Sequence, residues 1–530
     1  MTLIEEEFLD YARRATPRVL TQMDRDPMSP TFGCFDRNYW HYKIRDFPSS
    51  ILQQGVVVLD SILRGSIERS VSKELIESWI VGAIRALVRQ TRWSGSVDEY
   101  YPYERSYPAA AFSLYAIGYV LWRWPLESPP PLKTEDWRGL RRLARGLILS
   151  TETQASNQQA AGLAGIALAT LLPNLHLDAE AHHTLSDKFF STQHPEGWFP
   201  EYGGPDFGYL TVTIDALIDF HDATGDDRAI IAIDRAVEFL LQLIGSDGNL
   251  PWTINSRNTD YVVPYGLVRA ASRNPAAAWL VHQLFNGINT PEHFFNSIDD
   301  RYHCHYIFGS LVKAMPHLKK MMPAQTPKLP EYKWFEGCGY WIRRVHKGNT
   351  TVFFSANKGG LIRIQRKGEA PIIDNGWRIN KKKVVWTSNW WSKNWAVAVT
   401  GESVCISGNL HRVRYFSPHP LLHLLLRGAS LLTFGKIVKI LKWLMIFRPY
   451  SQTGPKYTRS ICWLEDHLEI NDKIAPFYGA SAEQGPRQNH RHVASADNYS
   501  NEESFCYPKP KRLFSLNEGL DKQYIWPNGA

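Results

Sequence analysis

The chain has 530 residues, of which 44% are apolar and 21% charged; this composition excludes a disordered or fibrous protein, and the length predicts two domains. The net charge of +8 is unevenly distributed, because from Thr326 onward 30 Lys and Arg stand against 15 Asp and Glu. Such a basic part suits either a solvated face or an anionic partner, a glycan or a lipid surface, and its diffuse charge without a known motif argues against nucleic acid.

The cysteines and the N-terminus both favour the cytoplasm. The six cysteines are widely scattered and form no CxxC pair, which favours reduced thiols over a disulfide framework or a zinc site. No metal or cofactor is predicted from these spacings. The opening MTLIEEEFLDYARRATPRVL lacks the basic start and the apolar core of a Sec-type signal peptide.

Up to about Leu318 the sequence alternates between helical stretches and loops rich in aromatic and polar residues. Several stretches are apolar on more than one face, for example AGLAGIALATLL at 161–172, as expected for helices packed on both sides. Apolar residues spaced by three and four predict helices over 3–23, 48–64, 73–91, 108–123, 136–149, 155–172, 179–192, 209–224, 228–244 and 303–318.

From about Trp334 the pattern changes to short segments such as GYWIRRV, TTVFFSA, GLIRIQR and HLEINDKI. Period-2 alternation and β-branched residues, with Gly, Asn and Asp between the segments, predict an antiparallel β-sandwich. The stretch MMPAQTPKLP carries three prolines and is typical of a linker. We therefore predict an all-α domain over 1–320, a linker over 321–333 and an all-β domain over 334–530.

The segment 420–447 interrupts the β pattern with a long apolar stretch that contains several basic residues. These charges argue against a membrane-spanning helix. Lys436, Lys439 and Lys442 could share one helix face beside Trp443 and Phe447, as in a helix that lies in a membrane interface. The alternative is a helical insertion packed on the sandwich, so peripheral membrane contact through 420–447 stays one of two hypotheses.

The loops before the predicted helices share one composition. FGCFDRNYWHYKIRDFP, VDEYYPYERSYP, TETQASNQQ, HPEGWFPEYGGPDFGY, NSRNTDYVVPYG and DDRYHCHY all combine aromatic, carboxylate, amide or basic side chains. If helix pairs pack side by side into a ring, alternate loops open at the same end and line one concave face. Aromatic platforms interleaved with hydrogen-bonding groups suit a sugar ligand.

The motifs EGWFPEYGGPDFGYLTVTIDAL, SNQQAAGLAGIALA, DEYYPYERSYPAAAFSLYA and FGCFDRNYWHYKIRDFP resemble the heparinase II/III-like polysaccharide lyase superfamily. They are most similar to its branch associated with bacterial surface-polysaccharide gene clusters. The resemblance covers most of the α-region and implies an incomplete (α/α) toroid followed by an antiparallel β-sandwich. It also implies cleavage of an anionic, uronate-containing polysaccharide or oligosaccharide by β-elimination.

The resemblance assigns roles to two residues at helix starts. Asn157 matches the asparagine that neutralises the uronate carboxylate, and Tyr209 matches the tyrosine that protonates the leaving oxygen. Two departures concern the base: Gln158 stands where many members have a His, and the stretch KGGLIRIQRKGEAPIIDNGW contains no His-rich strand. The candidate substitutes are His303, His305 and His411.

Two other classes of function stay open. A glycoside hydrolase could draw its carboxylate pair from Asp98, Glu99, Glu104, Glu201 and Asp206, and a non-catalytic glycan-binding or assembly protein could keep only the groove. In every case we expect one substrate-binding face that contains Tyr39, Trp40, Tyr103, Glu104, Arg105, Trp198, Glu201, Tyr202, Asp206, Arg257 and Tyr261.

Overall fold

The computed structural model describes residues 2–68, 70–124, 129–345, 348–413, 417–442, 452–464, 467–484 and 513–526. Its first part is helical and its second part consists of antiparallel sheets, as predicted. The helices are α1 (Leu3–Gln22), α2 (Arg37–Trp40), α3 (Val56–Leu63), α4 (Lys73–Gln90), α5 (Tyr107–Trp122), α6 (Thr134–Ile148), α7 (Ser156–Thr170), α8 (His183–Phe190), α9 (Phe207–Thr224), α10 (Arg228–Gln242), α11 (Tyr265–Ala271), α12 (Pro275–Phe285), α13 (Asp300–His303), α14 (Tyr306–Ala314), α15 (Pro420–Leu432) and α16 (Lys436–Lys442).

Six helices form an inner ring, in which α3, α5, α7, α9, α11 and α14 contact one another in that order and α14 packs on α3. Helices α4, α6, α8, α10 and α12 lie outside them, each against an inner neighbour. The inner helices are apolar all round because they are covered on both sides. Close packing requires small residues: a Cβ at Gly165 of α7 would lie 2.9 Å from the Tyr115 nitrogen of α5.

Three segments of the helical part differ from the prediction. The stretch 48–64 begins as a 3₁₀ turn at Ser50–Gly55 before α3, and 303–318 is divided between α13, α14 and a 3₁₀ turn at Met315–Lys320. Helices α11 and α12 were not predicted. They are short and rich in alanine, and Asn274, whose side chain caps α12 ahead of Pro275, interrupts the apolar pattern between them.

The strands of the described ranges form three five-stranded antiparallel sheets. Sheet 1 has the order β1-β2-β3-β4-β5, sheet 2 the order β10-β7-β6-β13-β14, and sheet 3 the order β15-β12-β11-β9-β8. The strands are β1 (Tyr332–Phe335), β2 (Tyr340–Val345), β3 (Thr350–Ser355), β4 (Leu361–Arg366), β5 (Ile372–Asp374), β6 (Trp377–Lys381), β7 (Val384–Thr387), β8 (Ala396–Thr400), β9 (Ser403–Asn409), β10 (His411–Val413), β11 (Lys456–Leu464), β12 (His467–Ile474), β13 (Ser481–Gln484), β14 (Leu513–Ser515) and β15 (Leu520–Trp526).

Sheet 1 belongs to two hydrophobic cores. Tyr340 and Phe353 pack with the helices, whereas their neighbours Trp341 and Phe354 pack with the other two sheets. Successive side chains of a strand point to opposite faces, so each strand of sheet 1 alternates between the two cores. All six residues of β3 are buried for this reason.

The described part of the segment 420–447, residues 420–442, forms two helices that we call the hairpin, rather than one helix. Helices α15 and α16 are separated by a turn in which Phe434 and Gly435 adopt φ values of 52° and 80°. Residues Trp443 and Phe447, named in the interfacial hypothesis, lie outside the described residues. No helix in the described ranges has the length and apolar character needed to cross a membrane.

Candidate active site

The loops that precede the inner helices contact one another at one end of the ring. The Arg45 guanidinium donates to the Glu99 carbonyl oxygen over 2.7 Å and joins the loops before α3 and α5. Tyr302 hydrogen-bonds to Tyr100 and so joins the loops before α14 and α5. The Tyr261 and Tyr306 hydroxyls, 2.7 Å apart, join the start of α14 to the loop before α11.

The remaining loops complete this chain of contacts. Ser256 donates its hydroxyl proton to the Glu201 carbonyl oxygen over 2.9 Å, and the Tyr202 main-chain N–H donates to the Gln154 carbonyl oxygen over 2.7 Å. Loops from all six inner helices therefore lie together, and we call this end of the ring the loop end. Tyr100, Tyr302 and Tyr306 belong to it, although only their loops, and not these residues, were singled out in the sequence.

Asn157 and Glu201 form a buried pair at the loop end. The Asn157 main-chain N–H donates to Glu201 Oε1 over 2.6 Å, and the Asn157 side chain is also hydrogen-bonded to Glu201. Within the described part of the chain, Glu201 Oε2 has no hydrogen-bond partner. Burial raises the pKa of the Glu201 carboxyl well above its usual range, so its protonated form is favoured.

Tyr209 lies in the first turn of α9, beneath an aspartate cap. Asp206 Oδ1 accepts from the Tyr209 main-chain N–H over 3.1 Å, and Oδ2 accepts from that of Thr259 over 3.2 Å. This use of Asp at a helix start fits its capping preference. Burial raises the pKa of Asp206 to about 6. The cap fixes the start of α9 and with it the position of Tyr209.

Arg257 is the unusual residue of this cluster. Its side chain is 1% exposed, yet none of its three guanidinium nitrogens has a hydrogen-bond partner among the residues described. The guanidinium lies over the Tyr202 ring, 4.4 Å from the centroid. Burial lowers its pKa, and the acidic groups of Tyr202, Tyr209 and Asp206 partly oppose this shift. A buried cation without a hydrogen-bond partner is costly.

Two residues of the β-part hold the loops in place. Lys358 Nζ donates to the Thr253 and Asn255 carbonyl oxygens over 2.5 and 2.8 Å and to the Asn258 side chain. It thus clamps the loop that carries Arg257, and burial lowers its pKa to about 7.

The second of these residues is Trp391, from the loop between β7 and β8. A Cβ at Gly204 would lie 2.1 Å from its indole ring. This close approach explains the Gly in the motif EYGGPD. The indole thereby fixes the turn between Glu201 and Asp206 against the β-part.

Several residues predicted for the substrate-binding face have other contacts. The Trp198 indole donates to Glu196 Oε2 over 2.9 Å and stacks on His194, beside the turn between β1 and β2. The Trp40 indole, next to Tyr39 on α2, donates to the Gln22 carbonyl oxygen over 2.7 Å. The N–H groups of both indoles are therefore used in hydrogen bonds within the protein.

Residues 103–105 face the α15–α16 hairpin instead. The Arg92 guanidinium covers the Tyr103 ring, and Arg105 lies over Phe434 of the hairpin. Glu104 Oε2 accepts from the main-chain N–H groups of Glu99, Tyr100 and Tyr101 and organises its own loop. Of the predicted face, Glu201, Tyr202, Asp206, Arg257 and Tyr261 are grouped around Tyr209.

The three candidate histidines lie in different surroundings. His303 is hydrogen-bonded to the Tyr11 hydroxyl over 2.8 Å and to the Asp299 carbonyl oxygen, which are the contacts of a structural side chain. His411 stacks on Trp390 in the β-part. His305 lies at the loop end, where its ring contacts those of Tyr302 and Tyr306. Burial lowers its pKa to about 3, so it is a weak base.

Among the carboxylates named for a hydrolase, Asp98, Glu99 and Glu104 have hydrogen-bond partners within their own loop. Asp98 accepts from the main-chain N–H groups of Tyr103 and Arg105 and pairs with Arg92, and Glu99 accepts from the Ser106 hydroxyl over 2.7 Å. No group of three or more His, Cys, Asp or Glu able to hold a metal ion occurs within the described ranges.

Comparison with solved structures finds the same fold in a polysaccharide lyase. The chain is similar to the Streptomyces coelicolor A3 chondroitin AC lyase in complex with chondroitin sulphate, with a TM-score of 0.56 and 10% identity over 98% of this chain and 82% of that chain. A variant of that enzyme, with one tyrosine replaced by alanine, gives a TM-score of 0.51 and 10% identity over 99% and 82%. No protein-family model and no curated protein matches the sequence.

Proposed function

We propose that this chain is a polysaccharide lyase that cleaves an anionic, uronate-containing glycan by β-elimination, in the metabolism of a bacterial surface polysaccharide. The observation that carries the proposal is the buried Arg257 guanidinium, which has no hydrogen-bond partner among the described residues and lies beside Tyr209. The fold shared with polysaccharide lyases and the sequence motifs of the heparinase II/III-like superfamily support the same reading.

In the proposed mechanism the uronate carboxylate binds between Arg257 and Asn157. Both groups neutralise its charge, which makes the proton on C5 more acidic. The protonated Glu201 carries its proton on the side of Oε2 and supplies a further donor. Because Tyr202 covers the guanidinium, substrate reaches Arg257 by displacing the Tyr202 ring.

Tyr209 serves as both base and acid. The cationic Arg257 stabilises negative charge on the Tyr209 oxygen, so the phenolate takes the C5 proton, the C4–O bond breaks and a C4=C5 double bond forms. The same proton then passes to the leaving glycosidic oxygen, and no water is consumed. His305 is not needed as the base, which agrees with its low pKa of about 3.

The test is a panel of uronate-containing glycans in which ultraviolet absorbance and reducing ends are measured together. A lyase produces an unsaturated uronate and a reducing end in equal amounts. Reducing ends without absorbance would indicate a hydrolase, and binding without either product a glycan-binding protein. Reduction of the substrate carboxylates to alcohols is the matched control, because elimination requires the carboxylate and should then stop.

A further inference from the structure

The α15–α16 hairpin exposes an apolar face to solvent. At 100° per residue its leucines cover about half of the circumference of α15, while Ser430, on the other half, is buried. The apolar half therefore points away from the protein, the reverse of the arrangement in an ordinary surface helix. Exposed fractions between 52% and 80% are found for Leu421, Leu422, Leu424, Leu425, Leu431, Leu432 and Phe434.

The polar side of the hairpin is fixed to the ring of helices. Arg427 forms two hydrogen bonds of 2.7 and 3.0 Å with the carboxylate of Asp46. The turn packs against residues 103–105, where a Cβ at Gly435 would lie 2.7 Å from the Tyr103 carbonyl oxygen. The direction of the leucine face is thus set by contacts on the opposite side of the hairpin.

Cationic groups border the leucine face. A cavity of about 240 Å³ between the hairpin and the ring contains Arg105 and Lys436 together with Ser94 and Ser96. Glu104 also lines it, but that carboxylate accepts three main-chain N–H groups through Oε2. The cavity offers donors and positive charge to an anionic head group.

An exposed tryptophan continues the apolar surface. Trp93 is 83% exposed and shares a cavity of about 360 Å³ with Leu431 and Phe434. Tryptophan beside leucine and basic residues is the composition of surfaces that lie at the level of lipid head groups. The positive charge and the apolar surface of the hairpin therefore both favour binding to an anionic lipid surface.

We propose that the α15–α16 hairpin docks the protein on an anionic phospholipid surface. The leucine face enters the boundary of the acyl chains, and Arg105 and Lys436 contact head-group phosphates. Because the hairpin packs on the loop before α5, which belongs to the loop end, docking holds the Tyr209 site close to the lipid surface. This inference goes beyond the proposed lyase activity and would direct that activity to glycan at a membrane.

The test is co-sedimentation of the full chain with vesicles of phosphatidylcholine alone or of phosphatidylcholine with phosphatidylglycerol. We expect binding to the anionic vesicles that weakens with salt. The double variant Leu421→Ser/Leu424→Ser should weaken binding at least about tenfold, and Lys436→Glu should weaken it about tenfold. Leu3→Ser, at a strongly exposed leucine of α1, and Lys188→Glu on α8 are matched controls and should bind like the parent.

Three results would overturn the proposal. They are equal binding to neutral and anionic vesicles, no effect of the leucine variant, and a lipid-free dimer that the leucine variant converts to a monomer while vesicles remain unbound. The last result would assign the leucine face to a second copy of the chain. All substituted hairpin residues are exposed, so the variants should melt like the parent, and the assay contains no glycan, so its outcome is independent of the lyase test.

Discussion

Glu201 binds both the main chain and the side chain of Asn157, although the two residues are 44 positions apart. The loop before α9 thereby fixes the first turn of α7. The amide proposed to neutralise the substrate carboxylate is held by a residue from the neighbouring loop. Glu201 therefore contacts Asn157 as well as having the substrate role we propose, and the two effects can be separated by substitution.

Replacing Glu201 with alanine should destabilise the protein by about 1–3 kcal/mol, because a buried main-chain N–H of Asn157 loses its acceptor. Glu201→Gln keeps an acceptor oxygen and should cost less. Urea denaturation of both variants measures the difference. Equal losses for the two substitutions would contradict the assigned hydrogen bond.

The glutamine variant should also change the pH dependence of stability. Because burial raises the pKa of Glu201 above its value in the unfolded chain, the native state binds more protons in the window that begins near pH 4.5, and Glu201 lowers stability as pH rises through it. Glu201→Gln has no carboxyl group at this position, so its stability should not fall for this reason as pH rises. Denaturation at pH 5 and pH 8 should show a larger decrease for the parent, and parallel decreases would refute the shift.

Tyr209→Phe removes only the hydroxyl and should leave the packing at the start of α9 intact. Loss of acid–base help typically lowers the rate by about 10²–10⁴, which exceeds any packing effect of one oxygen atom. Initial rates from the absorbance assay provide the measurement, with a thermal melt to verify the fold. A variant as active as the parent would remove Tyr209 from the mechanism.

Arg257→Met should separate activity from stability. Removing a buried charge that lacks a hydrogen-bond partner among the described residues should leave stability unchanged or raise it by about 1–4 kcal/mol, while turnover falls about 10²–10³. Arg459→Met is the matched control, since this equally buried arginine pairs with Asp472 and Asp374 and its loss should cost about 3–5 kcal/mol. Equal destabilisation in both variants would make Arg257 a structural residue.

Lys358→Met, a substitution in the β-part, should change the position of the loop that carries Arg257. The Thr253 and Asn255 oxygens and the Asn258 side chain would lose their donor, with a cost of about 1–3 kcal/mol, and the loop that carries Arg257 would shift. We expect KM to rise more than kcat falls. Lys393→Met, at an exposed lysine of the same part, should change neither constant, and an unaltered KM in Lys358→Met would count against the clamp.

The sequence predicted the helices best where a long segment is mostly apolar. The segments of α7 and α9 are of this kind, and both helices were predicted close to their observed bounds. Helices α11 and α12 were missed because they are short and because Asn274 and Pro275 interrupt the apolar pattern between them. The hairpin turn at Phe434 was also missed, since Gly435 is its one local breaker.

The site was less predictable than the fold because it depends on contacts that are distant in sequence. Arg257 was expected on the substrate-binding face. The sequence could not show that its guanidinium is buried beneath Tyr202 and has no hydrogen-bond partner within the described chain. Lys358 lies in a segment without a motif and reaches partners about 100 positions away. The sequence predicted Trp40 and Trp198 as platforms for a sugar ring. In the structure, their indole N–H groups donate hydrogen bonds within the protein.

Sheet 1 contributes one face to each hydrophobic core, and this affects how the protein unfolds. Separating helices from sheets would uncover Tyr340 and Phe353 together with the apolar helix surface against which they pack, a patch that water penalises strongly. We therefore expect the helical and β parts to melt in one cooperative transition. A polypeptide that ends before Tyr332 should aggregate, and neither half should persist as an autonomous folding unit.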